Sequence, residues 1–269
     1  MSEPLLLLER NDDVVTITFN DPDRRNAMSQ AMGEAFAARV AELASDASLR
    51  AVVLTGRGHA FSAGGDLGMI EDRAREGAAD PLGAHAGIRD HMRAFYGLFL
   101  SLRDLPCPTL AAINGAAVGA GLCVALGCDV RVASARARLG LNFTALGLQP
   151  GMGATWTLPR LVGPAHAAEL LYSSTILNGA EAAEIGLVNR AVAPEEVLPT
   201  TQAMAASFAA NGPIAVRNVK QSLARTAAAS LEDQLDFEAD VQARCFATED
   251  VHEGLAAARE KRSPRFQGK

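Results

Sequence analysis

The chain alternates short apolar strands with helical segments up to about residue 193 and carries only helical periodicity beyond it. Such an alternation is the mark of a sheet packed by helices. The pattern therefore predicts an α/β core followed by an all-helical region. Residues 1–194 form the expected core and residues 195–269 the helical part. Val14, Thr16 and Thr18 alternate with Val15, Ile17 and Phe19. Together with Leu5–Leu8 across Asn11-Asp12-Asp13, they predict a hairpin. Ser29 is placed to cap a helix to about Ser45, with Met32, Phe36, Val40 and Leu43 on one face. Ala51–Leu54, Thr109–Ile113, Val130–Ala133 and Val188–Val192 read as further strands. Ile88–Leu105 reads as a helix stopped by Pro106 and Pro108. Residues 71–90, charged and rich in Gly and Ala, read as a mobile segment.

At 269 residues and 49% hydrophobic content the chain can bury a full core. Lys plus Arg is 25 and Asp plus Glu is 31, so the net charge is 25 − 31 = −6. With an isoelectric point near 5.4, that balance excludes a general nucleic-acid binder but not a phosphate-bearing small molecule. The opening MSEPLLLLER is too short for a signal or membrane segment, and no window is apolar enough to span a bilayer. Cys107, Cys123, Cys128 and Cys245 form no CxxC pair and no zinc spacing. They read as reduced thiols of a cytoplasmic protein, and no metal is expected.

Two segments carry possible chemistry. His59-Ala60-Phe61-Ser62-Ala63-Gly64-Gly65-Asp66-Leu67 follows a strand and leads towards a helical turn. Glycines there let main chain approach a ligand, and N–H groups at such a turn can bind an oxyanion. An ordinary strand-to-helix connection is the plainer alternative. Ala111-Ala112-Ile113-Asn114-Gly115-Ala116-Ala117-Val118-Gly119-Ala120-Gly121 feeds a buried strand into a helix whose first turn is nearly free of side chains. Its unpaired N–H groups carry partial positive charge, although close helix–strand packing also calls for small residues. A dinucleotide fingerprint fits poorly, because no suitable strand and acidic residue follow.

Together these segments resemble the crotonase (enoyl-CoA hydratase/isomerase) superfamily. So do Asp21-Pro22-Asp23-Arg24-Arg25-Asn26-Ala27-Met28, Cys128-Asp129, Pro150-Gly151, the stretch Gly179 to Val188 and the terminal Glu260 to Phe266. The resemblance implies a crotonase-type spiral of ββα units with a helical C-terminal trimerisation region. It implies assembly as a homotrimer or as a hexamer built from two trimers. The ligand it implies is an acyl-CoA thioester, with coenzyme A entering as part of the substrate and no separate cofactor. The thioester oxygen is expected on the backbone N–H groups of Gly65 and Ala120. Such donors stabilise developing charge by roughly 3–4 kcal/mol each in well-studied cases. Ala63 with its neighbours Gly64 and Leu67, together with Ala27 and Gly119, is expected around the ligand. Arg24 is expected near the CoA phosphates, Phe266 near the adenine, and Asp66 as a brace of its loop.

The resemblance also shows where this sequence departs from the family. Hydration there relies on two glutamates. Aligned through Cys128-Asp129, their places fall on Cys123 and Phe143. A buried thiol stays protonated, and phenylalanine has no proton to exchange. Standard hydration, and isomerisation through the second carboxylate alone, are therefore expected to be weak or missing. Three readings stay open: another residue supplies the acid or base, the protein is a non-catalytic acyl-CoA carrier or sensor, or it runs another enolate step such as thioester hydrolysis or decarboxylation. Tyr96 is the nearest match to a catalytic group on the preceding helix, with His91 and Arg93 on neighbouring turns. Glu71, Asp72 and His85 are more distant choices. Cys123 has no adjacent His that would make it a nucleophile. Phe143, Trp156, Leu141, Met69 and Leu148 are the expected apolar pocket.

Overall fold

The computed structural model describes residues 3–269. Strands β1 (Leu6–Asn11) and β2 (Val14–Phe19) form the hairpin, turning at Asp12, which takes a φ of 51°. Helix α1 (Gln30–Ala44) leads to β3 (Ala51–Gly56) and the short β4 (Ala60–Ser62). Helices α2 (Leu67–Ala79) and α3 (Ala84–Leu100) follow. Next come β5 (Thr109–Ile113), β6 (Ala116–Val118) and α4 (Ala120–Gly127), then β7 (Val130–Ser134), β8 (Arg138–Gly140) and α5 (Ala154–Ser173). β9 (Leu177–Asn178), α6 (Gly179–Glu184) and β10 (Arg190–Val192) close the core. Four helices end the chain: α7 (Val197–Ala209), α8 (Pro213–Arg225), α9 (Leu231–Phe246) and α10 (Glu249–Glu260).

The strand–turn–strand–helix unit recurs at β3–β4, β5–β6 and β7–β8, and its two strands go to different sheets. The long strands build a six-stranded sheet in the order β1-β2-β3-β5-β7-β10, parallel apart from the first pair. The short strands build a second sheet, β4-β6-β8-β9. Every residue of β3 and β5 is buried, as parallel strands covered on both faces must be.

On one face of the large sheet α1 and α3 pack through Phe36, which stacks on Phe99 at 5.9 Å and tilts against Phe19 at 5.6 Å. Ser29 caps α1, its hydroxyl accepting from the Met32 N–H at 3.2 Å. On the other face lies α7, where Val197 and Ala205 are packed with Val53, Leu110 and Ala112. The all-helical stretch opens with a helix that covers the core sheet. Only α8 to α10 stand beyond it. Lys220 on α8 ties back to the core through the Cys107 carbonyl and the Asp129 carboxylate.

Residues 71–90 correct the expectation of a mobile segment: they lie largely within α2 and α3. No residue of α2 is fully buried, because its apolar face of Leu67, Met69, Ile70 and Ala74 looks onto a cavity. The helix is supported instead by Asp66 at its N-cap and by the pairs Arg73–Glu76, Arg75–Glu71 and Arg75–Asp72. The expected helix to Leu105 ends at Leu100, and a 3-10 turn over Ser101–Asp104 completes it.

Phe36→Ala removes a fully buried ring from between two others. It is expected to lower the unfolding free energy by about 3–5 kcal/mol in urea denaturation. A loss under 1 kcal/mol would show that this aromatic cluster does not hold α1 to the sheet.

Candidate active site

The two glycine-rich bends meet. After β4 the chain passes Ala63 and Gly64 and forms a parallel bridge with Met28: the Met28 N–H donates to the Gly64 carbonyl at 2.8 Å, and the Asp66 N–H donates to the Met28 carbonyl at 3.2 Å. The bridge skips the N–H of Gly65, which has no backbone partner among the described residues. After β6, Gly119 donates to the Gly140 carbonyl at 2.8 Å, and Ala120 opens α4 with an N–H that no helical carbonyl can reach. A Cβ on Gly64 would lie 2.7 Å from the Val118 carbonyl and 3.7 Å from the Ala120 nitrogen. The left-handed backbone is taken by Gly64 (φ 105°) and Gly119 (φ 53°), so Ala120 keeps its side chain without strain.

Side-chain amides, that of Asn26 fully buried, fix these bends. Asn26 Nδ2 donates to the Ala60 and Arg57 carbonyls at 2.8 and 3.0 Å, and its Oδ1 accepts from the Asp21 N–H at 2.9 Å. Asn114 Nδ2 donates to the Gly56 and Gly58 carbonyls at 2.8 and 3.0 Å. The Ser62 hydroxyl accepts from the Gly64 N–H at 3.2 Å. It also lies where a Cβ on Gly121 would fall, at 2.7 Å. Sequence reading quotes Asn26 and Asn114 within motifs but gives them no role, since each acts on carbonyls distant in the chain.

A 450 Å³ cavity opens between these bends and helices α2 and α3. Ala63, Gly64, Gly65, Leu67, Gly119, Ala120, Tyr96 and Phe143 line it, with Met69, Ile70, Met92, Phe95, Leu148 and Met152 among the apolar remainder. No Asp, Glu, His or Cys is among the described lining residues; Arg73 and Tyr96 are the ionisable ones. Of the expected pocket residues, Leu141 instead sits in the core. Trp156 is 42% exposed and held between the guanidinium groups of Arg103 and Arg160. Neither lines the cavity. Glu71 and Asp72 are exposed and paired with Arg75, and His85 and Arg93 are exposed as well.

Asp66 is fully engaged: Oδ1 accepts from the Met69 N–H at 2.9 Å, and Oδ2 pairs with Arg24. Arg24 is half-exposed, and Ala27 lies beside it in the loop before Met28; neither lines the cavity. Phe266 is elsewhere. Its ring packs where a Cβ on Gly254 would be, at 3.4 Å, and its carbonyl accepts from Arg50 Nη2 at 2.6 Å.

Cys123 is 2% exposed, with its Sγ 3.7 Å from the Gly151 carbonyl. Burial pushes its thiol up to about 12. Tyr96 is partly buried, with its ring laid on Gly151: a Cβ there would be 2.7 Å from Cζ. Its hydroxyl has no hydrogen-bond partner among the described residues. Burial first, and the neighbouring Cys123 second, raise its pKa.

The sequence matches the family model described as Enoyl-CoA hydratase/isomerase over residues 9–269. It is 34% identical to a crotonyl-CoA hydratase of Syntrophomonas wolfei over 98% of each chain. It is 35% identical to a 1,2-epoxyphenylacetyl-CoA isomerase of Escherichia coli over 95% of each. A crystal structure of an enoyl-CoA hydratase subunit from Geobacillus kaustophilus superposes with a TM-score of 0.88 at 36% identity, covering 99% of each chain.

The buried thiols give the protein an alkaline signature. Cys107 is pushed to about 11, and Cys123 and Cys128 to about 12, against 9.0 for a free thiol. Above pH 9 the unfolded chain releases these protons while the folded chain keeps them. Stability is therefore expected to fall as pH rises from 9 towards 12. Urea denaturation at pH 8 and pH 10 measures it, and native alkylation at pH 8 should leave Cys123 unmodified. Equal stability at the two pH values, or rapid labelling of Cys123, would contradict this burial.

Proposed function

The chain belongs to the enoyl-CoA hydratase/isomerase family, and on that premise we propose that it binds an acyl-CoA thioester and stabilises its enolate. The Gly65 and Ala120 main-chain N–H groups hold the thioester oxygen, and the two-carboxylate pair of a standard hydratase is missing. One observation carries the reading: a cavity lined by Gly65 and Ala120, whose N–H groups have no backbone partner, with no carboxylate among the described lining residues.

The charge that develops on a thioester oxygen during enolate formation is worth most to a fixed donor in a site with little water. There each donor contributes roughly 3–4 kcal/mol. The start of α4 adds the field of its unpaired N–H groups. Hydration or isomerisation also needs a base to take the first proton. Cys123 stays protonated at neutral pH, and Phe143 has nothing to exchange. Asp66, next to Gly65, is committed to Arg24 and to the cap of α2. Tyr96 is the lining residue with a proton to give, and its raised pKa keeps it protonated, so it is no resting base. Enolate steps that need no base fit such a wall. In decarboxylation, for instance, the breaking C–C bond leaves its electron pair in the enolate, and the α-carbon then takes the Tyr96 proton. Acyl-CoA binding without turnover uses the same amides and is the second reading, favoured by the same lack of a base.

Exposed Leu223, Leu231, Leu235 and Phe246 on α8 and α9 support assembly of this chain as a trimer or hexamer. Light scattering on the purified protein is expected to give three or six chains, and a stable monomer would overturn that part.

CoA thioesters of several chain lengths are expected to raise the melting temperature by mass action, while crotonyl-CoA hydration stays far below that of an efficient hydratase. Gly64→Ala, which drives a Cβ into the Val118 carbonyl, is expected to remove the thermal shift. Absence of any shift at saturation would sink the ligand class. Rapid hydration of crotonyl-CoA would sink the proposal that the acid–base pair is missing.

A further inference from the structure

The acyl-CoA reading, on which this inference rests, leaves open how a site without a base reaches the enolate. The wall beside the two amides bears on that. Asn142 lines the cavity together with Gly119 and Ala120. Strand β8 carries it there: Val118 pairs with Gly140 in parallel register, and the Gly119 N–H donates to the Gly140 carbonyl. Two residues on, Asn142 Oδ1 lies 3.1 Å from where a Cβ on Gly119 would fall. The carboxamide thus rests against the residue whose link to the next supplies the Ala120 N–H.

The polar atoms of Asn142 have no hydrogen-bond partner among the described residues. Protein does not cover them either: the buried side-chain nitrogens and oxygens left without a partner belong to Arg73, His91, Arg217 and Gln234. Asn142 is half-buried, and its carboxamide is open to the cavity it lines. Of the other polar side chains on the wall, Arg73 is paired with Glu76 and Gln149 is exposed. Tyr96 neighbours Cys123, whose N–H donates to the Gly119 carbonyl at 3.1 Å. One turn of α4 therefore separates the surroundings of the carboxamide from those of the hydroxyl.

A ligand that fills the cavity shuts water away from Asn142. With a plain hydrocarbon chain, the thioester oxygen would go to Gly65 and Ala120, and the carboxamide would be left without a partner, which is costly. An amide nitrogen has two hydrogens to give and no charge, so it suits a carbonyl-type oxygen. Its place against Gly119 sets that oxygen beside the thioester oxygen, as a second carbonyl at C3 of the acyl group does. Such a carbonyl also removes the need for a positioned base. In a 3-oxoacyl thioester the α-carbon lies between two carbonyls, and its proton is acidic enough to pass to solvent. In a 2-carboxyacyl thioester the C–C bond to the carboxylate breaks, CO2 leaves, and the electron pair stays in the enolate. The α-carbon then takes the Tyr96 proton, and Tyr96 recovers one from water.

We propose that the Asn142 carboxamide hydrogen-bonds a second carbonyl oxygen at C3 of the acyl group. The preferred ligand is then a 1,3-dicarbonyl thioester, a 3-oxoacyl- or 2-carboxyacyl-CoA, rather than a plain acyl-CoA.

Equilibrium binding to the full chain tests this in two arms: 3-oxohexanoyl-CoA against hexanoyl-CoA, and ethylmalonyl-CoA against butyryl-CoA. In at least one arm the dicarbonyl thioester is expected to bind about tenfold more tightly than its plain match. The arm that discriminates tells a ketone from a carboxylate. Asn142→Leu is expected to bring the ratio to about one with hexanoyl-CoA binding unchanged, and Asn142→Gln to keep part of it. Where ethylmalonyl-CoA is turned over, release of CO2 replaces its binding as the readout, with the same tenfold loss expected in Asn142→Leu. A ratio of one or less in both arms of the unaltered protein overturns the proposal without any variant. So does a ratio, or a CO2 release, that survives Asn142→Leu. If no thioester of either kind binds, the acyl-CoA reading itself fails; if the plain thioesters bind as well as the dicarbonyl ones, only this inference does.

Discussion

The rest of the site depends on one close approach, that of Gly64 to the carbonyl of Val118, where a single added carbon would sit at 2.7 Å. Two stretches of main chain more than 50 residues apart are pressed together with no side chain between them. Loops do not hold such a position by themselves, because fixing each residue costs about 1–2 kcal/mol of conformational entropy. The fold supplies the restraint from behind. Asn26 and Asn114 use their amides as extra rungs, and the Met28 bridge adds a strand-like edge. Ser62 closes the gap to α4. Each of these polar groups is buried or nearly so and each has its partner, so the bends are rigid without cost from unmet hydrogen bonds.

The same packing sets the electrostatics. Helices α2 and α3 wall the cavity with methionine, isoleucine and phenylalanine. In such surroundings a thiol or phenol holds its proton, as Cys123 and Tyr96 do. A main-chain N–H, which carries no formal charge, pays no comparable penalty there, and its pull on a developing anion is stronger than it would be in water. Low polarity therefore silences the side chains next to the bends and amplifies the backbone.

Much of this was legible in the sequence, and the exceptions have physical causes. β2 shows as an alternating strand, β3 and β5 as short apolar runs, and all three stand out. β4, β6 and β8 have three residues each, too few for any period, so the second sheet was hidden. α2 does not stand out because its many charges and its Gly and Ala residues mask an apolar face that lines a cavity and is not sealed in the core. The break between α9 and α10 at Thr248 has neither Gly nor Pro to announce it. Both glycine-rich bends could be read, since only small residues permit them. The anchoring by Asn26 and Asn114 could not, because it joins carbonyls 31 to 58 positions away. Trp156 had the look of a pocket residue by size and apolar character, but two arginines hold it at the surface.

Positive φ at Gly64 and Gly119, with Ala120 left in ordinary helical backbone, has an evolutionary consequence. Donors that belong to the peptide unit have no genetic spelling of their own. Codons for the flanking side chains can drift without dismantling the cradle, provided the two glycines stay. A lineage built this way can exchange one reaction for another, or abandon turnover, while still recognising the same handle on its ligands. Kinship among such chains then reports what they grasp far more faithfully than what they do to it.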